Sequence, residues 1–147
     1  MKSNTLIIDK LNLLLADFQI YYQNLRGFHW NIQGREFFEL HVKFEELYTD
    51  SAIKIDTIAE RILTVGGVPL HAFEDYLNTA TITPEKNVNN GETAVKTIVA
   101  NIEALITLER EIKDIAADAN DSGTEDQMSA FIEEQEKSLW MYKAWLK

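Results

Sequence analysis

The chain of 147 residues contains no cysteine. That excludes a disulfide scaffold, a thiolate zinc site and a cysteine nucleophile. Proline is nearly absent too: Pro69 and Pro84 are the only two, both in the middle of the chain. Long proline-free stretches on either side are what an all-helical protein needs. No apolar run approaches the roughly 20 residues of a membrane span. The opening residues Met1 to Lys10 carry charges inside their apolar stretch and show no cleavage-site pattern, so they read poorly as a signal peptide and a cytoplasmic protein is expected. Basic residues are also in short supply: 14 against 24 acidic ones leave a net charge of −10. A body so charged repels phosphate backbones and attracts cations.

What remains is a globular composition, 46% apolar and 26% charged, which argues against disorder. It suits one domain over residues 1–147 with its own core. From about Asn4 to Ile32, the residues Leu6, Ile7, Leu11, Leu14, Leu15, Phe18, Tyr21, Tyr22, Leu25 and Phe28 recur at helical steps. After Gly34 a second helix is expected from about Arg35 to Val65, closed by Gly66-Gly67. Its inward candidates are Phe37, Leu40, Phe44, Leu47, Tyr48, Ile55, Ile58 and Ile62. Residues 68–90 form a long connector in which Phe73 to Leu77 has the apolar content of a short helical piece. A third helix fits Gly91 to about Ala119, capped by Asn90, with Val95, Ile98, Val99, Ile102, Leu105, Ile106 and Ile112 as its stripe. Past a turn at residues 120–123, a fourth opens on Thr124, which is expected to form a reciprocal capping box with Gln127. It continues through Phe131, Leu139, Trp140 and Trp145. Short turn, long crossover and short turn predict an all-α, ferritin-like four-helix bundle, with a short helix in the crossover between helices 2 and 3.

The histidines are His29, His41 and His71. His29 lies five residues before Gly34 and His41 seven after it, which in a helical hairpin puts the two imidazoles at similar heights. His71, in the connector, reads as an ordinary surface residue. Asp56 and Glu60 are four apart, hence on one helical face about 40° from each other. Ile55, Ile58 and Ile62 bracket them with apolar side chains, which predicts a stripe that is at least partly covered. Covered carboxylates without a partner are costly, and a cation is one remedy. Imidazoles with carboxylates suit iron, and zinc or manganese as substitutes. His41 and Asp56 are separated by about 22 Å of helix, too far for one ion, yet by only about 60° around it. A second copy packed antiparallel through a twofold axis would set its Asp56 and Glu60 opposite His29 and His41, making two equivalent shared sites. No Glu-x-x-His motif occurs: Arg26, Phe38 and Val68 stand three before the histidines. A metal site within the bundle is therefore not expected.

These residues carry a family resemblance. His29-Trp30-Asn31-Ile32-Gln33-Gly34, then Leu40-His41 and Glu45, resembles the first motif of the Dps family, the miniferritins named as DNA-binding proteins from starved cells. Ile55-Asp56-Thr57-Ile58-Ala59-Glu60-Arg61, then Gly66 and Pro69, resembles the second, with Val65 where a larger aliphatic residue or Phe is more usual. The likeness extends to the ending Trp140-Met141-Tyr142-Lys143-Ala144-Trp145-Leu146. It implies a homo-oligomer, a hollow dodecamer, that acts as a ferroxidase: it oxidises Fe(II) with hydrogen peroxide or oxygen, stores ferric mineral and protects against oxidative damage. It also implies a di-iron centre at a dimer interface, with His29 and His41 from one subunit and Asp56 and Glu60 from the other, Glu60 binding iron most directly. Trp30 reads either as an interceptor of stray oxidising equivalents or as interface packing. Glu45 and Glu46 read as feeding mineral on the inner surface or as solvated helix residues. Asp121, Glu125 and Asp126 fall where family shells have acidic threefold pores, or are simply solvated. The alternative within the same fold is a DNA-compacting architectural protein. Against it, only Lys2 and Lys10 stand among the first ten residues and no basic extension follows Lys147, so weak or absent DNA binding is expected. A bundle without chemistry would leave the His/Asp/Glu set unexplained.

Overall fold

Four backbone breaks set the layout. Gly34 and Gly66 sit at φ +112° and +93°, Asn87 at φ +59° and Asn120 at φ +58°, conformations that side-chain-bearing residues rarely adopt. In a computed structural model, which describes residues 2–147 with side chains from residue 4 onward, these breaks separate five helices. They are α1 (Lys2–Asn31), α2 (Phe37–Thr64), α3 (Phe73–Thr79), α4 (Gly91–Asp118) and α5 (Ser122–Trp145). No strand occurs among the described residues. Met1 and the side chain of Lys2, part of the leader and DNA readings above, lie outside them.

The chain forms two helical hairpins, α1 with α2 and α4 with α5, joined by the crossover that carries α3. The hairpins meet along α1 and α4, while α3 lies on α1. The four-helix bundle and its short crossover helix are as expected. Ile7, Leu11, Leu14, Leu15, Phe18 and Leu25 of α1 pack with Phe44, Ile58 and Ile62 of α2 and Ile98, Ile102, Leu105 and Ile112 of α4. Phe18 meets Phe131 of α5 edge to face, with centroids 6.2 Å apart. Deleting a buried ring such as Phe18 or Phe44 costs about 3–5 kcal/mol. Two residues of the expected α1 stripe fall outside this core: Leu6 is exposed and Tyr22 half-buried. On α2 the inward row includes Ser51 and Lys54, a polar content that apolar counting passes over.

The helix starts correct one expectation and match another. Asn90 caps α4, its side chain accepting from Thr93 N–H at 2.8 Å. The last helix begins two residues before Thr124, and its cap is Asp121, not Thr124. Asp121 Oδ1 accepts from Thr124 N–H at 3.1 Å, and Oδ2 from the Thr124 hydroxyl at 2.6 Å. Gln127 Oε1 is buried without a partner, so the capping box with Gln127 does not form. Aspartate wins because Arg61 of α2 also binds it, at 2.7 Å, making one carboxylate both cap and interhelix link. The guanidinium lies so close that a Cβ on Gly123 would approach Arg61 Nη2 to 2.5 Å.

The crossover has little regular structure, so its backbone polar groups need side-chain partners. A row of polar residues on α1 supplies them. Asn12 exchanges hydrogen bonds with Val68 C=O and Leu70 N–H. Buried Asp17 accepts from the N–H groups of Thr81 and Ile82 and from the Thr81 hydroxyl. Asn24 bonds Thr83 C=O and Glu85 N–H. The connector is thereby stitched along α1.

Candidate metal centre

His29 in the last turn of α1 and His41 in the first turns of α2 face each other across the Gly34 turn. Their rings stack with centroids 3.7 Å apart and planes 12° from parallel. Each ring binds the other residue's backbone: His29 Nδ1 lies 2.6 Å from His41 O, and His41 Nδ1 lies 2.7 Å from His29 O. A carbonyl oxygen only accepts, so both Nδ1 atoms are the donors, the tautomer in which a neutral imidazole presents its lone pair at Nε2. This is the arrangement that prepares imidazole for a metal. Phe37 stacks on the outer face of His41 at 4.9 Å, and Tyr48 meets His29 edge-on at 5.3 Å, so neither ring turns freely. His29 is buried and His41 half-buried.

Glu45, one helical turn after His41, places Oε1 3.6 Å from His29 Nε2. Its carboxylate stands on the lone-pair side of the histidines. The signal in the sequence was its i+4 spacing from His41. Glu46 points elsewhere, paired with Lys43 at 3.1 Å.

Asp56 and Glu60 are exposed, so Ile58 and Ile62, buried on the opposite side of α2, give them no cover. The expectation of partial cover is corrected. A residue two positions from an acid lies about 160° around the helix from it, and Ile58 and Ile62 each stand two from Glu60. The two carboxyls contact each other, and the hydrogen bond to Asp56, followed by its charge, raises Glu60 above the ordinary glutamate range. Two acids side by side mark a place where a cation would be welcome. No group of three or more potential ligands comes together among the described residues of one chain. The imidazole pair and the carboxylate pair are separate half-sites.

The other candidates lie apart. Trp30 is 56% exposed, with the Arg26 guanidinium 4.9 Å above its ring. His71 is exposed and bonds only Pro69 O nearby, at 2.9 Å. Asp121 is occupied by Thr124 and Arg61; burial pushes its carboxyl up, but those hydrogen bonds together hold it below the usual range. Glu125 is half-buried and Asp126 exposed. Sequence reasoning passed over further polar residues: buried Lys54, paired with the exposed Glu134, and buried Glu109, to which Gln135 donates. Their signal was a charge on an apolar register, Lys54 four before Ile58 and Glu109 four after Leu105.

Comparison with known proteins bears on both fold and centre. The ferritin-like domain family matches residues 8–147. A crystal structure of a DPS protein from Vibrio cholerae O1, described as belonging to a broad superfamily of ferritin-like diiron-carboxylate proteins, superposes with a TM-score of 0.98 at 46% identity, covering 99% of this chain and 92% of the other. A DNA protection during starvation protein of Porphyromonas gingivalis is 43% identical over 95% of this chain and 87% of its own length. DNA protection during starvation protein 2 of Bacillus anthracis is 38% identical over 97% of this chain and 98% of its own.

Proposed function

The chain belongs to the Dps family of ferritin-like proteins, and from that premise we propose that it is an iron-oxidising, iron-storing miniferritin whose oxidation centre is completed only between two subunits. The observation that carries this reading is the reciprocal bonding of His29 and His41, which commits both Nε2 atoms to a ligand while the matching acids lie elsewhere on the same chain. A second copy supplies Asp56 and Glu60. The surface next to Asp56 supports such a partner: a groove between α1, α2 and α3, lined by Ile20, Tyr22, Ile55 and Leu77, opens beside Phe73, which is 82% exposed. Apolar surface of this kind marks an interface.

In that centre iron is substrate. Fe(II) is held by the two imidazoles of one chain and by Asp56 and Glu60 of the other. Glu45 stands beside His29 as a further oxygen donor. Two Fe(II) side by side each give one electron, and hydrogen peroxide with two protons becomes two waters, so no hydroxyl radical is released. The ferric product is stored as mineral inside a hollow, dodecameric shell in the cytoplasm. Oxygen is the slower oxidant, and zinc or manganese occupies the same ligands as a substitute. Trp30 packs at the interface; the Arg26 charge over its ring opposes loss of an electron from it. Of the expected pore acids, Glu125 and Asp126 remain available to guide cations, Asp121 being engaged as a cap. DNA is protected by removal of Fe(II) and peroxide. With a net charge of −10, direct DNA binding is weak or absent, so plasmid is expected to migrate unretarded at physiological ionic strength.

Anaerobic loading with Fe(II) followed by peroxide tests the reading. The protein is expected to consume about two Fe(II) per peroxide in a fast phase. The combined His41→Ala and Glu60→Ala variant should lose that phase; oxidation at the unaltered rate would refute the assignment.

A further inference from the structure

A row of aromatic rings leads away from the imidazole pair. Tyr48 of α2 meets His29 edge-on, with centroids 5.3 Å apart. Tyr22 of α1 stacks on Tyr48 at 5.8 Å, its plane 28° from parallel. The Arg26 guanidinium follows, 5.3 Å from the Tyr22 ring and 4.9 Å from Trp30. Tyr48 is half-buried. Among the described residues its hydroxyl has no hydrogen-bond partner, so packing and bonding within the chain ask for a ring but not for a phenol. What the phenol adds over phenylalanine is an oxidisable group in contact with a histidine of the oxidation centre.

Hydrogen peroxide accepts electrons in pairs, and two Fe(II) supply a pair when both places in a centre are filled. Filling proceeds one ion at a time, so a centre holding a single Fe(II) also meets peroxide. One electron alone breaks the O–O bond into hydroxide and hydroxyl radical. We propose that Tyr48 supplies the second electron to such a half-filled centre, an inference that rests on the function proposed above. Fe(II) and the phenol each give one electron. The phenol gives its proton, solvent gives another, and the peroxide becomes two waters. Iron is left as Fe(III) and Tyr48 as a neutral phenoxyl radical. The next Fe(II) to arrive, with one proton, reduces that radical back to phenol, so two irons are still consumed per peroxide.

The surroundings favour Tyr48 over the other rings. Phe37, stacked on His41 at 4.9 Å, has no hydroxyl to oxidise. Tyr22 and Trp30 share the Arg26 guanidinium, and a positive charge over a ring opposes removal of an electron from it. Among the described residues no side-chain cation stands over Tyr48. Its edge contact with His29 also leaves the electron only a short path to the metal ligand.

Rapid-freeze electron paramagnetic resonance on the assembled protein tests this. Protein loaded anaerobically with one Fe(II) per chain is mixed with peroxide, and protein loaded with two per chain is the reference. The half-loaded protein should show a tyrosyl signal, with a spin for nearly every iron oxidised, that narrows when ring-deuterated tyrosine is incorporated. Tyr48→Phe keeps the ring against His29, so a purely structural role would leave the signal in place. It should instead lose the signal and release hydroxyl radical, seen as a spin-trap adduct. Tyr22→Phe and Trp30→Phe should retain the signal. An undiminished signal in Tyr48→Phe overturns the proposal, as does unaltered half-loaded protein that oxidises its iron without any tyrosyl signal. Absence of a fast phase in the fully loaded reference would refute the oxidation centre itself, and the proposal would fall with it.

Discussion

The chain carries two polar clusters in opposite conditions. At the rim, His29 and His41 are held by each other's backbone with their Nε2 atoms uncommitted, and Asp56 and Glu60 have only each other. Deeper in the bundle, buried Lys54 already pairs with the exposed acids Asp50 and Glu134, while Glu109 Oε2 is buried without a partner. Both are rich in metal-ligand chemistry. The difference lies in who supplies the cation. A cluster that supplies its own is closed, whereas one divided into half-sites stays open until a second subunit and an iron ion arrive. Ligand type alone therefore does not tell where a metal goes.

The largest expected effect would sharpen the interior side of this contrast. Glu109 titrates at about 8 in the fold against an ordinary 4.5. Its raised value means the protonated form is favoured when folded. The stabilisation is full below about pH 4.5, declines as pH rises, and is gone above about 8. The loss could reach about 4–5 kcal/mol at the linkage rate of one pKa unit. Denaturant midpoints at pH 5 and pH 9 should differ strongly in the unaltered protein and much less in Glu109→Gln. Next comes the rim. His41→Ala and Glu60→Ala should each slow peroxide-driven iron oxidation by about a hundredfold or more, read by stopped-flow absorbance. Phe37→Ala, which removes the ring stacked on His41, should weaken Zn(II) binding by about tenfold without unfolding α2. The smallest effect is on Glu60 itself. Carbon-13 titration should place its carboxyl above the usual glutamate range, and Asp56→Asn should bring it down by removing the acid that raises it.

The bundle was legible because its signals are local. Periodic apolar residues, Gly34, Gly66 and the Asn90 cap each act within a turn or two, and the helices follow them closely. The start of α5 was misread because the choice between Asp121 and Thr124 is made by Arg61, sixty residues away in sequence. The stitching of the crossover by Asn12, Asp17 and Asn24 was invisible for the same reason. At the site, the turn spacing foretold that His29 and His41 would meet, but nothing local foretold the reciprocal Nδ1 bonds that select their tautomer. Glu45 was assigned to mineral or solvent, although its spacing from His41 put it beside His29. Lys54 and Glu109 escaped notice because a charge within an apolar row reads as an interruption until its partners on other helices are known.

The central claim is that each oxidation centre is assembled from two chains, and mixed-subunit complementation tests it most directly. His41→Ala chains lack a complete imidazole half, and Glu60→Ala chains lack a complete acid half. Refolded together in equal amounts, they should pair so that about one centre in four draws intact halves from both, restoring about a quarter of the unaltered fast-phase iron oxidation. A mixture as inactive as either variant alone would contradict the account.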